Sequence, residues 1–311
     1  MVDVFYEFID HFDIRKNHIM KSIILFFAIF VFSIGHLDAQ LLDEPQWRVL
    51  GKLGIKKIQK TIVSDSINSD FLWIEQELNH LGFNIKELQN SSDGRTTIYK
   101  SNYLDDSILV ENQFIHLNEP NIKTKYTKYT YTKDLKQKTH SYYDGDHLLM
   151  KATFKYSKNG QLTSREERQF GDPKTNSYSS QRKFSYNYNE EGKVKEVHLK
   201  TKRNGKTDIK NYKNIYLSDP YTVEHYLVSS NGGEDRLLDK EIYDDQNRLK
   251  VTEHFNIKSK SSTYHFGNTK LELMPGESLR KEYFCDDRGL IVLEVISANR
   301  NQRIEIRYDY F

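Results

Sequence analysis

Where its hydrophobic and polar positions can be read, the chain alternates. In Arg303-Ile304-Glu305-Ile306-Arg307-Tyr308-Asp309-Tyr310 the Ile and Tyr residues occupy one phase of a period of two, and Arg, Glu, Arg and Asp the other. This is the pattern of a strand with one face against a core and one face in water. Lys183 to Tyr188, and Thr127 to Thr132 with Tyr129 and Tyr131, follow the same rule. The segment Asp70–Leu81 fits two templates. Phe71, Ile74, Leu78 and Leu81 line a helical face that Gly82 would end, yet Phe71–Leu78 and Phe83–Leu88 fall in phase with the later hairpins, and we assign strand.

Turn residues punctuate the chain after residue 41, most of them 11 to 15 residues apart: Gly82, Gly94, Asp105-Asp106, Pro120, Asp134, Gly145, Gly160, Asp172-Pro173, Gly192, Gly205, Asp219-Pro220, Gly232-Gly233, Asn247, Gly267, Pro275-Gly276 and Gly289. Removing turns of roughly two to five residues leaves strands of about eight to ten. Parallel βαβ units need longer crossovers than these gaps allow. The predicted fold class is therefore all-β, an extended antiparallel β-meander or repeat sheet built from consecutive hairpins.

One unit recurs within this spacing. Tyr156-Ser-Lys-Asn-Gly160-Gln-Leu162 has counterparts in Tyr143-Asp-Gly-Asp-His147-Leu-Leu149, Tyr188-Asn-Glu-Glu-Gly192-Lys-Val194, Tyr243-Asp-Asp-Gln-Asn247-Arg-Leu249 and Cys285-Asp-Asp-Arg-Gly289-Leu-Ile291. Each has a large residue or Cys, a polar triplet, a turn residue and an aliphatic residue two further on. Gly or Asn at the turn position reaches φ > 0 at little cost, so each copy reads as strand, tight turn, strand. The tyrosine, six residues before the aliphatic one, is expected to pack beside it across the hairpin. Structural positions assigned on this basis are Tyr143, Tyr156, Gly160, Leu162, Tyr188, Gly192, Val194, Tyr243, Asn247, Leu249, Gly289 and Ile291.

The unit resembles the tyrosine-aspartate (YD) repeats of Rhs-type proteins and the related MORN-like variant repeats of bacterial envelope proteins. Tyr156, Gly160 and Leu162, then Tyr188, Gly192 and Val194, then Tyr243, Asp244, Asn247 and Leu249 carry the resemblance, which covers about half the chain. It implies an extended or curled β-sheet serving as a shell or binding scaffold. The chain lacks the great length of Rhs proteins and their C-terminal toxin domain.

Composition sharpens the picture. Among 311 residues, 21 Tyr and 17 Phe stand against 37% hydrophobic residues overall, which suits sheets apolar on one face and wet on the other. With 46 basic and 44 acidic residues the net charge is +2, no single-sign field of the kind that marks a nucleic-acid partner. Met20-Lys21, the apolar run Ile23–Ile34 and Ala39-Gln40 have the layout of an export signal. Residues 1–39 are read as that signal with translation starting at Met20, residues 40–66 as an irregular N-terminal cap and residues 67–311 as the hairpin repeat domain. The one cysteine, Cys285, rules out an intrachain disulfide, and Gln40 after the signal gives no lipid anchor.

Catalytic motifs are absent: there is no phosphate loop, His-Glu-x-x-His or Gly-x-Ser-x-Gly. Asp144-Gly145-Asp146-His147 lacks the rest of a calcium loop. His116, His140, His147, His198, His225, His254 and His265 have no ligand spacing, though neighbouring strands could gather two of them. No catalytic, cofactor or metal residue is assigned. Cys285 stands where sibling copies have Tyr and reads as a core residue. The expectation is an exported, non-enzymatic β-repeat scaffold or binding protein of the bacterial envelope, periplasmic, outer-membrane-associated or secreted, with an envelope protein or polysaccharide as partner. The alternatives are an outer-membrane β-barrel, against which Phe311 stands out of phase with Tyr308 and Tyr310, and an envelope hydrolase.

Overall fold

A computed structural model describes residues 46–63, 70–91, 94–117, 124–170, 180–203, 205–256, 261–266, 269–298 and 302–311. The segment read as an export signal lies outside these residues. A single helix among them, α1 (Gln46–Lys52), precedes β1 (Lys57–Val63), β2 (Phe71–Leu78), β3 (Asn84–Asn90), β4 (Thr96–Leu104), β5 (Ile108–His116), β6 (Lys125–Tyr131) and β7 (Gln137–Asp144). There follow β8 (His147–Tyr156), β9 (Leu162–Gln169), β10 (Ser180–Tyr188), β11 (Val194–Arg203), β12 (Lys206–Ser218), β13 (Tyr221–Val228) and β14 (Arg236–Tyr243). The last are β15 (Leu249–Phe255), β16 (Ser262–Phe266), β17 (Thr269–Leu273), β18 (Ser278–Cys285), β19 (Ile291–Ala298) and β20 (Gln302–Tyr310).

Eighteen of these strands form one sheet in which each pairs antiparallel with the next in sequence, β15 passing directly to β18. The sheet closes on itself: β1 pairs with β20 from Ile58↔Tyr310 to Val63↔Glu305. Asp70–Leu81 supplies strand β2, not a helix. The all-β antiparallel meander of consecutive hairpins is as expected, and it shuts into a barrel. Within the segment 40–66, read as an irregular cap, Lys57–Val63 is β1, the strand that closes it. Ring closure satisfies the outward backbone groups of both terminal strands, which a cap would otherwise have had to cover.

The rim that carries the β2–β3, β6–β7, β8–β9, β10–β11, β14–β15 and β18–β19 connections repeats one turn six times. In Asn79–Phe83, Thr132–Lys136, Ser157–Gln161, Asn189–Lys193, Asp244–Arg248 and Asp286–Leu290 the first N–H donates to the fifth carbonyl, and the fourth N–H to the first carbonyl. The side-chain oxygen of the first residue accepts the fifth N–H in every copy, so a small polar acceptor is required there. The fourth residue is left-handed throughout: Gly82, Leu135, Gly160, Gly192, Asn247 and Gly289, with φ of +60° at Leu135 and +78° at Gly192. The opposite rim carries connections of more varied length, including the β16–β17 hairpin between β15 and β18.

The pleat gives the ring two faces. Side chains converge on a concave face and diverge on a convex one, so the face on which Ala152 (0% exposed), His140 (1%) and Leu199 (1%) are buried among their strand neighbours is the inner one. Both elements outside the ring pack on it. Near one rim Leu50 and Ile55 in and after α1 meet Ile58, Leu78 and Leu290. Near the other, Phe266, Leu271 and Leu273 of the β16–β17 hairpin cover Ile62, Leu279, Ile296, Ile304 and Ile306.

The outer face is charged. Lys57 pairs with Glu75 at 2.8 Å, Lys240 with Glu224 at 3.5 Å, and Arg280 with Glu253 at 2.6 Å.

Candidate functional site in the inner wall

The repeat tyrosines belong to the inner wall. Tyr156 pairs with Leu162, Tyr188 with Val194 and Tyr243 with Leu249, each at a β-bulge, and Cys285 holds the same station opposite Ile291. The tyrosine thus stands beside the aliphatic residue six positions on. Its hydroxyl then reaches back one hairpin. Tyr156 donates to the Gln137 carbonyl at 2.9 Å, Tyr188 to Leu162 at 2.7 Å, Tyr216 to Val194 at 2.7 Å and Tyr310 to Ile291 at 2.7 Å. Tyr131 to Leu109 at 2.5 Å and Tyr103 to Asn84 at 3.0 Å extend the series. Each acceptor is the bulge partner in the hairpin before, so the phenols tie successive hairpins together under one rim. Tyr243 differs: its hydroxyl donates to Glu241 at 2.8 Å.

Tyr143 belongs elsewhere. It lies at the opposite rim on the outer face, stacked on Tyr126 with centroids 4.8 Å apart, and Asp144↔His147 closes a two-residue turn in which Gly145 is left-handed at φ +55°. Two further copies sit in the rim that the repeat marks, at Leu78–Asn84 and Tyr131–Gln137. An aliphatic residue in place of Tyr hides the first, and a leucine at the left-handed position hides the second. The polar acceptor opening each turn, Asn79 or Thr132, was the signal available for both.

Three polar groupings interrupt the apolar wall. Across β7 to β10, Arg165 lies between the rings of Phe154 and Phe184 at 5.6 and 5.5 Å. It forms an ion pair with Glu167, which also stands 3.8 Å from Arg182. His140 adjoins this group, and burial, assisted by Arg165, pushes its imidazole down to about 4.

On the other side of the ring Glu294 accepts from the Tyr308 hydroxyl at 2.7 Å and pairs with Lys281 at 3.4 Å. Burial opposes its charge, but Lys281 and the phenol prevail, and its carboxyl stays below the usual range. Between these groups His225, Asp239 and His254 stand directly opposite one another on β13, β14 and β15. His254 Nδ1 lies 2.6 Å from Asp239 Oδ1, while His225 Nδ1 lies 2.9 Å from Asn214.

Of the seven histidines considered as ligands, the fold brings His225 and His254 together around Asp239. His140, His116, His147 and His198 lie apart from them, the side chain of His265 falls outside the described ones, and among the described residues no group of three side chains is placed to hold a metal ion. Cys285 is half-buried, with its thiol raised by burial. The arrangement keeps charges paired away from water.

No family profile matches the chain, and no curated protein matches it. Among solved structures it is similar to the TcdB2-TccC3 complex without its hypervariable C-terminal region (12% identity, TM-score 0.41, 80% of this chain and 14% of that one). It is similar also to the Photorhabdus luminescens Tc holotoxin pore (12% identity, TM-score 0.40, 78% and 14%). A porin-like protein from Bacteroides uniformis matches over 83% of this chain and 98% of its own, at 14% identity and a TM-score of 0.36. The chain spans about a seventh of the toxin chains' length. Superpositions this loose leave the functional argument to the barrel itself.

Proposed function

We propose that the protein is an exported, non-enzymatic β-barrel of the bacterial envelope that stands in water as a shell or binding scaffold, its hairpin unit being of the YD or MORN-like kind. The outer face carries this reading. A membrane-spanning barrel turns an apolar band to lipid, and Lys or Arg at the bilayer midplane costs roughly 2–4 kcal/mol apiece. Here Lys151, Glu166, Lys183, Lys200, Lys240 and Glu253 occupy outward positions within their strands. Inserting such a wall would cost on the order of ten kcal/mol or more.

A second reading, a barrel seated in the outer membrane, is favoured by the closed ring of eighteen strands with its tight turns on one rim and more varied connections on the other. Closure is a property of this alternative and not of an open repeat scaffold.

Fractionation of native cells separates the two. The water-standing barrel is released with periplasmic or secreted protein and stays monodisperse without detergent, whereas recovery only in detergent-solubilised outer membrane would select the second reading. Incubation with peptidoglycan and envelope polysaccharides tests the hydrolase alternative.

A further inference from the structure

The two-sheet-face register gathers charge that the linear sequence spreads out. On the outer face of β8 to β11, Lys151 lies opposite Arg168, Arg168 opposite Gln181, and Gln181 opposite Lys202. In the next row Thr153, Glu166, Lys183 and Lys200 follow one another, and in the third Lys155, Ser164, Ser185 and His198. Strand spacing sets the backbone positions of these residues about 5 Å apart within a row and about 7 Å apart between rows. Six basic side chains, Lys151, Lys155, Arg168, Lys183, Lys200 and Lys202, all exposed, thereby surround one carboxylate, Glu166, which is already bonded to Arg168 and Gln181.

Elsewhere on the outer face Lys57, Lys240 and Arg280 are matched with acids. Lys151, Lys183, Lys200 and Lys202 form no ion pair among the described residues. Lys183 and Lys200 stand directly opposite each other, an arrangement that weakens a sheet. The fold therefore carries an uncompensated cationic lattice on a firm wall, at a cost in stability.

We propose that this surface binds an extended anionic polysaccharide, one bearing carboxylates or phosphates at regular intervals. The residues between the amines favour it. Thr153, Ser164, Gln181, Ser185 and Asn211 offer hydroxyls and amides to sugar hydroxyls, while the ring in these rows is the His198 imidazole, 2.8 Å from Asn211, and no Phe, Tyr or Trp lies there to form the stacking platform that single-stranded nucleic-acid sites require. An amphipathic membrane surface site would in turn need several apolar residues among the lysines, whereas one, the exposed Ile209 opposite Lys200, stands at the edge of these rows. The choice of polysaccharide rests on the exported reading. Binding is measured on purified protein, so either can fail alone.

Polygalacturonate serves as the anionic probe, with dextran as the neutral polymer, a thymidine 20-mer as the nucleic acid and phosphatidylglycerol vesicles as the membrane. Titration calorimetry at low salt should show binding to polygalacturonate alone, weakened about tenfold or more as salt shortens the Debye length. Lys200→Glu should weaken it by a similar factor while leaving the barrel as stable as the parent or more so, because it replaces a Lys–Lys opposition by a Lys–Glu one. Lys183→Gln/Lys202→Gln should act the same way without adding negative charge, and Lys240→Gln, outside the patch, should leave affinity unchanged. Unchanged affinity in both patch variants, or binding of dextran, the oligonucleotide or the vesicles as tight as that of polygalacturonate, would overturn the proposal.

Discussion

The hydroxyl of Tyr188 donates to the backbone carbonyl of Leu162 at 2.7 Å, and Leu162 is the residue opposite Tyr156 in the preceding hairpin. One phenol thus satisfies a carbonyl at the neighbouring bulge, where the regular ladder is interrupted. Removing the hydroxyl alone, in Tyr188→Phe, is expected to cost about 1 kcal/mol. Tyr188→Ala, which also removes a packed ring from the cluster of Phe184, Tyr186 and Leu199, should cost roughly 3 kcal/mol or more. Denaturant melts of the two variants measure the difference. Equal costs would mean that the hydrogen bond dominates and the ring contributes nothing.

The left-handed turn position offers a gain as well as a loss. Gly192 has φ +78°, and Gly192→Val should destabilise by about 1–2 kcal/mol, since a β-branched residue resists that conformation. Leu135 holds the same station at φ +60° while 61% exposed. Leu135→Gly relieves the strain with little burial to lose, and a gain of up to about 1 kcal/mol is expected. A fall in midpoint for Leu135→Gly would show that its side chain is held by packing.

How much of this was legible differs from residue to residue. The pairing of Tyr156 with Leu162, Tyr188 with Val194 and Tyr243 with Leu249 follows from local spacing, because a tight turn fixes hairpin register. Tyr143 misled because Tyr-Asp-Gly also suits a two-residue turn on the other rim. Closure through β1 and β20 was not legible at all. It depends on residues such as Ile62 and Ile306 meeting across nearly the whole chain, and no local pattern encodes that. The inner ionic groups were equally hidden, since Arg165, Glu167 and Arg182 look like surface charges until alternation places them on the wall with Phe184.

Glu167 stands between two arginines with little access to water. Glu167→Ala leaves both guanidinium groups without that carboxylate, and a loss of about 3–5 kcal/mol is expected. Glu305, paired at the surface with Arg303 at 2.5 Å, provides the contrast: Glu305→Ala should change stability by less than about 0.5 kcal/mol. Urea midpoints for the two variants should therefore be well separated.

His140 gives the barrel a pH dependence of definite sign. Its folded-state value, near 4, lies below the ordinary 6.5 because burial and Arg165 disfavour the imidazolium. The unfolded chain therefore binds the extra proton between those values, so this contribution is intact above about pH 6.5 and falls away as pH drops toward 4. The loss should be roughly 2–3 kcal/mol. Urea melts between pH 7 and 4 should show this slope, and His140→Phe should flatten it. An identical slope in the variant would assign it to other groups.

The seam between β1 and β20 also sets the order of events in time. Every other neighbouring pair in the ring joins strands close in sequence, most through a hairpin, and can form as soon as both members exist, but Ile62 and Ile306 must wait for nearly the entire chain. The entropy of closing so long a loop falls on this one junction. Circularisation should therefore be the slow step of folding, and the seam the first place where the wall parts. Until it is sealed the polypeptide is a ribbon with no inside, and only afterwards does it enclose a volume.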